Sequence, residues 1–203
     1  GTFRDVSEDP GVEDREAYYG LGAVWGDVDE DGDLDLYVGN DATPNALYVN
    51  QGGGAFVEQG FLSGLAVSGD GSEQASMGVD LADYDNDGRL DAYCTHFASD
   101  SSTLSRNTGD LLFEDVTARA GIQTPEYPLV SWGTRFVDLD HDGWKDLFHA
   151  NGHVYPFMQD RFDDREDFRQ PHTVYMNLGD GTFLDASSLA GDDVQDPSVG
   201  RGV

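Results

Sequence analysis

A single cysteine, Cys94, stands among the 203 residues, so no internal disulfide framework braces this chain, and cysteine usage leaves its redox compartment open. Positive charge is also scarce. Eleven Lys and Arg face 40 Asp and Glu, for a formal net charge of −29. Nucleic acids and anionic membrane surfaces are held by clusters of Lys and Arg, so neither is an expected partner. No stretch approaches the roughly 20 apolar residues of a membrane-spanning helix. No secretory leader is visible, and the chain opens at Gly1 rather than Met, as expected of a processed, trimmed or omitted N-terminus. The Gly-x-Ser-x-Gly elbow, the phosphate loop and the dinucleotide fingerprint are all missing. A hydrophobic content of 38% with 11% aromatics is too high for a disordered acidic tail. A folded chain this acidic repels itself, and cations are its natural partners.

The acid is concentrated in a repeat. Asp27-Val28-Asp29-Glu30-Asp31-Gly32-Asp33-Leu34-Asp35 recurs as Asp83-Tyr84-Asp85-Asn86-Asp87-Gly88-Arg89-Leu90-Asp91, and again as Asp138-Leu139-Asp140-His141-Asp142-Gly143-Trp144-Lys145-Asp146. The copies begin 56 and then 55 residues apart, a period that signals a repeat architecture. Five residues before each copy stands a glycine: Gly22, Gly78 and Gly133. The short segments leading into the loops are aromatic and β-branched, the composition of strands. A second apolar run follows each loop, then a third element ending in Asn50, Asn107 or Asn177, and six residues later Phe56, Phe113 or Phe183. Gly-rich connections between these elements suit tight hairpins. Four short strands per unit, with no helical periodicity, predict an all-β fold of β-propeller-type repeats. The expected units are about 19–75, 76–130 and 131–197 in one repeat domain, with half-repeats at 1–18 and 198–203.

The ends repeat pieces of the interior. Gly1-Thr2-Phe3-Arg4-Asp5-Val6 resembles Gly181-Thr182-Phe183-Leu184-Asp185, the close of a unit, and Ser198 to Val203 resembles the strand that feeds a loop. The expectation is therefore an incomplete propeller, a segment of a larger one, or a unit whose split blade is completed in cis or by neighbouring copies. An insertion at Val154 to His172 lengthens the third unit, and its mixed charges suggest a solvated loop or a short surface helix.

Each loop has the chemistry of a calcium site. Calcium takes six to eight oxygen ligands at irregular angles. Positions 1, 3 and 5 supply carboxylates (Asp27, Asp29, Asp31; Asp83, Asp85, Asp87; Asp138, Asp140, Asp142), and position 9 closes the cage with Asp35, Asp91 or Asp146. Position 6 is always glycine, which accepts a positive φ. Position 7 offers a backbone carbonyl, so its side chain varies freely as Asp33, Arg89 and Trp144. An EF-hand requires Glu at position 12 and flanking helices, but Val38, Cys94 and His149 stand there inside expected strands. Magnesium keeps several waters in a strict octahedron, and zinc prefers His or Cys; neither fits. Acidic surface turns alone are the plain alternative, since Asp and Gly favour turns. Three mutually repelling four-carboxylate loops in phase argue against it.

Other residues carry weaker signals. His149 and His153 lie four apart near the third loop and read either as structural groups or as a second metal or substrate site. Cys94, in an apolar run, reads as a buried small hydrophobe. Trp25, Trp132 and Trp144 are expected to pack between blades, with Trp144 the best candidate for a contact residue. Carboxylate pairs leave glycosidase chemistry open, although calcium accounts for most of them.

These motifs resemble the FG-GAP/VCBS repeats of integrin-α-type propellers. More narrowly, Phe113-Glu114-Asp115-Val116-Thr117, Ala120-Gly121-Ile122 and Ala150-Asn151-Gly152-His153 are similar to the ASPIC/UnbV, cartilage acidic protein-like group. The resemblance covers essentially the whole chain. It implies an extracellular, non-enzymatic calcium propeller used in adhesion or in protein or glycan recognition. Against that resemblance, these 203 residues are expected to hold fewer repeats than a seven-bladed ring and none of the group's C-terminal domain, which leaves blade number and closure open. A structural role, as a subunit of a secreted filament or surface assembly built from further copies, is the alternative.

Overall fold

The computed structural model describes residues 2, 5, 11–13, 16–98, 100–122, 129–156 and 167–203. The resemblance of the first six residues to a unit's close, and residues 157–166 of the insertion, lie outside or largely outside the described residues.

Three four-stranded antiparallel meanders make up the molecule. The first runs β1 (Gly20–Gly26), β2 (Asp35–Asn40), β3 (Ala46–Asn50) and β4 (Phe56–Glu58). The second runs β5 (Ser76–Ala82), β6 (Asp91–His96), β7 (Thr103–Asn107) and β8 (Phe113–Asp115). The third runs β9 (Ser131–Val137), β10 (Asp146–Asn151), β11 (Thr173–Asn177) and β12 (Phe183–Asp185). Each acidic loop joins a unit's first strand to its second. The Asn and Phe landmarks six residues apart are direct cross-strand partners: Asn50 with Phe56, Asn107 with Phe113 and Asn177 with Phe183. Helix is confined to single turns, α1 (Gly60–Ser63) and α2 (Asp192–Gln195), and a 3₁₀ turn at Ser187–Leu189.

The core lies between blades rather than within one. Val28, Tyr37, Leu47 and Val49 of the first blade bury against Ala92 and Phe113 of the second. Tyr84, Tyr93 and Leu104 of the second pack with Phe136, Leu147, Tyr175 and Phe183 of the third. A single meander has two faces and cannot bury both alone, so blades stabilise one another by burial.

The glycines preceding the loops owe their place to this stacking. A Cβ on Gly78 would lie 2.0 Å from the carbonyl oxygen of Trp132 in the next blade. On Gly22 it would lie 2.6 Å from the carbonyl of Met77. First strands of successive blades thus approach backbone to backbone. On Gly133 the Cβ would meet the backbone of Gly202 and Val203, and Gly133 N donates to Arg201 O at 2.9 Å. Residues 199–203 therefore run against β9 as β9 runs against β5.

Candidate metal sites

The three loops share one conformation. Position 1 turns the chain: Asp27 accepts the Asp31 and Gly32 N–H groups on its two oxygens, at 3.1 and 3.0 Å. Asp83 does the same for Asp87 and Gly88, and Asp138 for Asp142 and Gly143. Gly32, Gly88 and Gly143 have φ of 93°, 96° and 96°, the left-handed region expected for position 6. Position 4 is left-handed as well, at Glu30, Asn86 and His141. Residue identity there varies too much to announce it.

This winding gathers three carboxylates per loop. One oxygen from each of Asp27, Asp29 and Asp35 lies within 4.8 Å of the other two, and the same holds for Asp83, Asp85 and Asp91 and for Asp138, Asp140 and Asp146. The remaining sequence-derived positions fall outside these groups. Asp31, Asp87 and Asp142 each turn Oδ1 back to accept the N–H of position 7, that is of Asp33, Arg89 and Trp144. The Asp33 side chain is exposed, whereas Trp144 is half-buried and lies against Gly179, and the Arg89 guanidinium pairs with Asp87.

Position 9 is the anchor. Asp91 is fully buried; its oxygens accept Tyr84 N at 3.1 Å and Asn107 N at 2.8 Å. Asp35 holds Val28 N and Asn50 N, and Asp146 holds Leu139 N and Asn177 N, in the same way. The asparagine carries the link onward. Asn107 Nδ2 donates to Val28 O in the preceding loop at 2.9 Å, and Asn177 Nδ2 to Tyr84 O at 2.9 Å. The first and second acidic loops are thereby each tied to the blade that follows, a role for which the repeated asparagine was the only sequence signal.

Electrostatics show what the donor set suits. Burial pushes Asp91 up to about 7, against two backbone hydrogen bonds that lower it, and Asp85 and Asp87 add to the rise. Burial likewise raises Asp29, Asp35 and Asp146. A carboxyl raised in this way stabilises the ion-free fold fully below its unfolded value near 4, and that contribution is lost as pH rises through the folded value. At neutral pH the ion-free loops are thus penalised, and a dication removes the penalty. Asp85 Oδ1 is buried with no hydrogen-bond partner, an oxygen in want of a positive ligand. An all-oxygen set fits calcium.

Among the described residues no histidine belongs to a metal-compatible group. His149 is buried, its ring 5.2 Å from Tyr93 and 5.6 Å from Tyr175, and His153 packs on Phe97 and Tyr155. Cys94 is buried, which pushes its thiol up to about 12. Trp132 donates to Gly152 O and carries the Arg201 guanidinium over its ring, whereas Trp25 is 54% exposed and touches Phe56 edge-on. The expectation that all three tryptophans pack between blades fails at Trp25, where no preceding blade is described.

Residues 27–94, spanning the first two loops, match the family model of the FG-GAP-like repeat. Residues 27–94 belong to the FG-GAP-like repeat family. The third loop, outside the matched span, repeats their hydrogen bonds at positions 1 and 9. The chain is also similar to cartilage acidic protein 1. It is 35% identical to the Mus musculus protein over 159 residues, 75% of this chain and 24% of that one. It is 27% identical to the Xenopus tropicalis protein over 177 residues, 85% and 26% of the two chains. The chain thus spans about a quarter of the length of these relatives. Among solved structures, one titled as an Agrocybe aegerita lectin recognising non-reducing terminal N-acetylglucosamine aligns at 20% identity and a TM-score of 0.42, over 80% of this chain and 36% of that one. No helix of the described residues is long and apolar enough to cross a membrane.

Proposed function

We infer that this FG-GAP-like chain is an extracellular calcium-binding recognition module, in which three Ca²⁺ ions brace the blades and the surface, rather than a catalytic centre, engages a protein or glycan partner. The observation that carries this reading is the threefold recurrence of a carboxylate trio within 4.8 Å, each including a buried position-9 aspartate. When bound, calcium neutralises those carboxylates. The chain's own residues set the rest: position 1 winds the loop, position 9 locks it to the third strand, and the asparagine passes the constraint to the neighbouring blade. Outside cells calcium is abundant enough for sites of roughly 10⁻⁴–10⁻³ M affinity. The test is thermal melting in EDTA and in millimolar CaCl₂. Calcium should raise the midpoint and MgCl₂ at equal concentration should not, because only the folded state holds the ion. Superimposable melting curves in EDTA and calcium would end this reading.

One observation favours assembly as a second reading. Leu21 and Trp25 on β1 are exposed at 51% and 54%, whereas their counterparts Met77 on β5 and Phe136 on β9 are buried, Phe136 against Tyr93 of the preceding blade. The outer face of β1 is therefore an interblade surface that suits another blade, from a longer chain or from a further copy. Light scattering behind size exclusion, with and without calcium, reads the copies directly. Oligomers in calcium support self-assembly, and monomers at every concentration refute it.

A further inference from the structure

The middle loop differs from its neighbours in one respect that bears on ion binding. The residue before the strand-ending asparagine is Val49 in the first blade and Met176 in the third, but Arg106 in the second. Its Nε donates to Asp85 Oδ2, and its Nη2 to Asp87 Oδ2 at 2.8 Å. Arg89 adds a second guanidinium on Asp87 and donates from Nε to Asn107 O at 3.1 Å. The effect on Asp85 is visible. Its counterparts Asp29 and Asp140 each accept the position-5 N–H, at 3.3 and 3.2 Å, while Asp85 Oδ1 is buried without any partner. The carboxylates hold Arg106 above the usual guanidinium range, so it stays charged at any pH the protein tolerates.

We propose that Arg106 is a resident competitor for the cation, which makes the middle loop a weaker calcium site that fills only after the two outer ones. The proposal rests on the calcium reading above. A dication bound among Asp83, Asp85 and Asp91 shares Asp85 with a guanidinium a few ångströms away, and like charges at that range repel strongly in a half-buried site. Among the described residues no Arg or Lys is ion-paired with the trios of the outer loops, where Val49 and Met176 stand in place of Arg106. Arg106 has room to yield: it lines an interblade cleft of about 400 Å³ together with Tyr84, Arg119, Trp144 and Thr182. With no calcium, the same guanidinium offsets the repulsion between Asp85 and Asp87. Arg106 thus stabilises the ion-free loop and weakens the ion-bound one.

Calorimetric titration of the calcium-free protein with CaCl₂ tests this, using the parent, Arg106→Met, which copies the third blade, Arg106→Val, which copies the first, and the charge-keeping Arg106→Lys. The parent should show two tight sites and one at least about tenfold weaker. Arg106→Met and Arg106→Val should bring the weak site within about threefold of the others while lowering the melting midpoint in EDTA, and Arg106→Lys should stay with the parent. Opposite signs for affinity and ion-free stability are what a purely structural arginine does not produce. Three sites of equal affinity in the parent, or a weak site unmoved or weakened further in both apolar variants, overturns the proposal while leaving the calcium reading intact. No binding by any form at millimolar calcium removes both.

Discussion

Asp146→Ala should destabilise the calcium-loaded protein by about 3–5 kcal/mol, whereas Asp142→Ala, four residues earlier in the same loop, should cost about 1 kcal/mol. In sequence the two are equivalent members of one motif. In the fold, Asp146 is 1% exposed and accepts the part-buried N–H of Leu139 and the buried N–H of Asn177, both at 2.8 Å. Truncation leaves two donors unsatisfied, at about 1–3 kcal/mol each, and removes one of the gathered carboxylates. It also frees Asn177, whose side chain holds Tyr84 O of the neighbouring loop, so the damage crosses the interblade boundary. Asp142 is exposed and loses one local turn bond to Trp144 N. Denaturant unfolding of both variants in saturating calcium measures the difference. Equal losses would show that the anchoring role of position 9 is misassigned.

Acid should weaken the fold through His149, and His149→Phe should relieve this. The imidazole is buried between Tyr93 and Tyr175, its Nε2 has no hydrogen-bond partner, and burial pushes its pKa down to about 3, against a small opposing pull from Asp185. His96, hydrogen-bonded to Ser76 and Thr103, is held down to about 4 for the same reason. The unfolded chain protonates histidine near 6.5, so the folded state binds fewer protons below that pH. Stability from these depressed groups is complete above 6.5 and falls as pH drops toward 3 to 4, at about 1.4 kcal/mol per unit for each. Relative to the parent, His149→Phe should therefore gain about 2 kcal/mol between pH 7 and pH 5. Carboxylates of the metal loops titrate in both proteins and cancel from the difference. Stability curves that run parallel across this range would refute the assignment.

Much of this protein could be read before folding, because its repeats obey local rules. The period of the acidic loops, the Asn and Phe landmarks and the Gly-rich links marked out four strands per unit, and those strands appear as three meanders. The clustering of carboxylates was legible because acidic loops with glycine at position 6 need little context. The division of labour among the aspartates was not legible. Positions 5 and 9 are the same residue type, and only the strand register places Asp35, Asp91 and Asp146 beneath the third strand while Asp31 and Asp142 stay in solvent. Arg106 looked like one more residue of a third strand until pleating aimed it at Asp85.

Composition and spacing alone determined that the chain is all-β, repetitive, acidic and furnished with three oxygen-rich loops, since strand patterning, turn residues and ligand type are properties of short segments. Tertiary structure decided why Gly22, Gly78 and Gly133 must lack a side chain, which aspartate anchors each loop, and how Asn107 and Asn177 tie one loop to the next. Those features depend on approaches between blades more than fifty residues apart in the chain, where backbone meets backbone and a buried donor must find its acceptor. No local pattern encodes a neighbour that only stacking supplies.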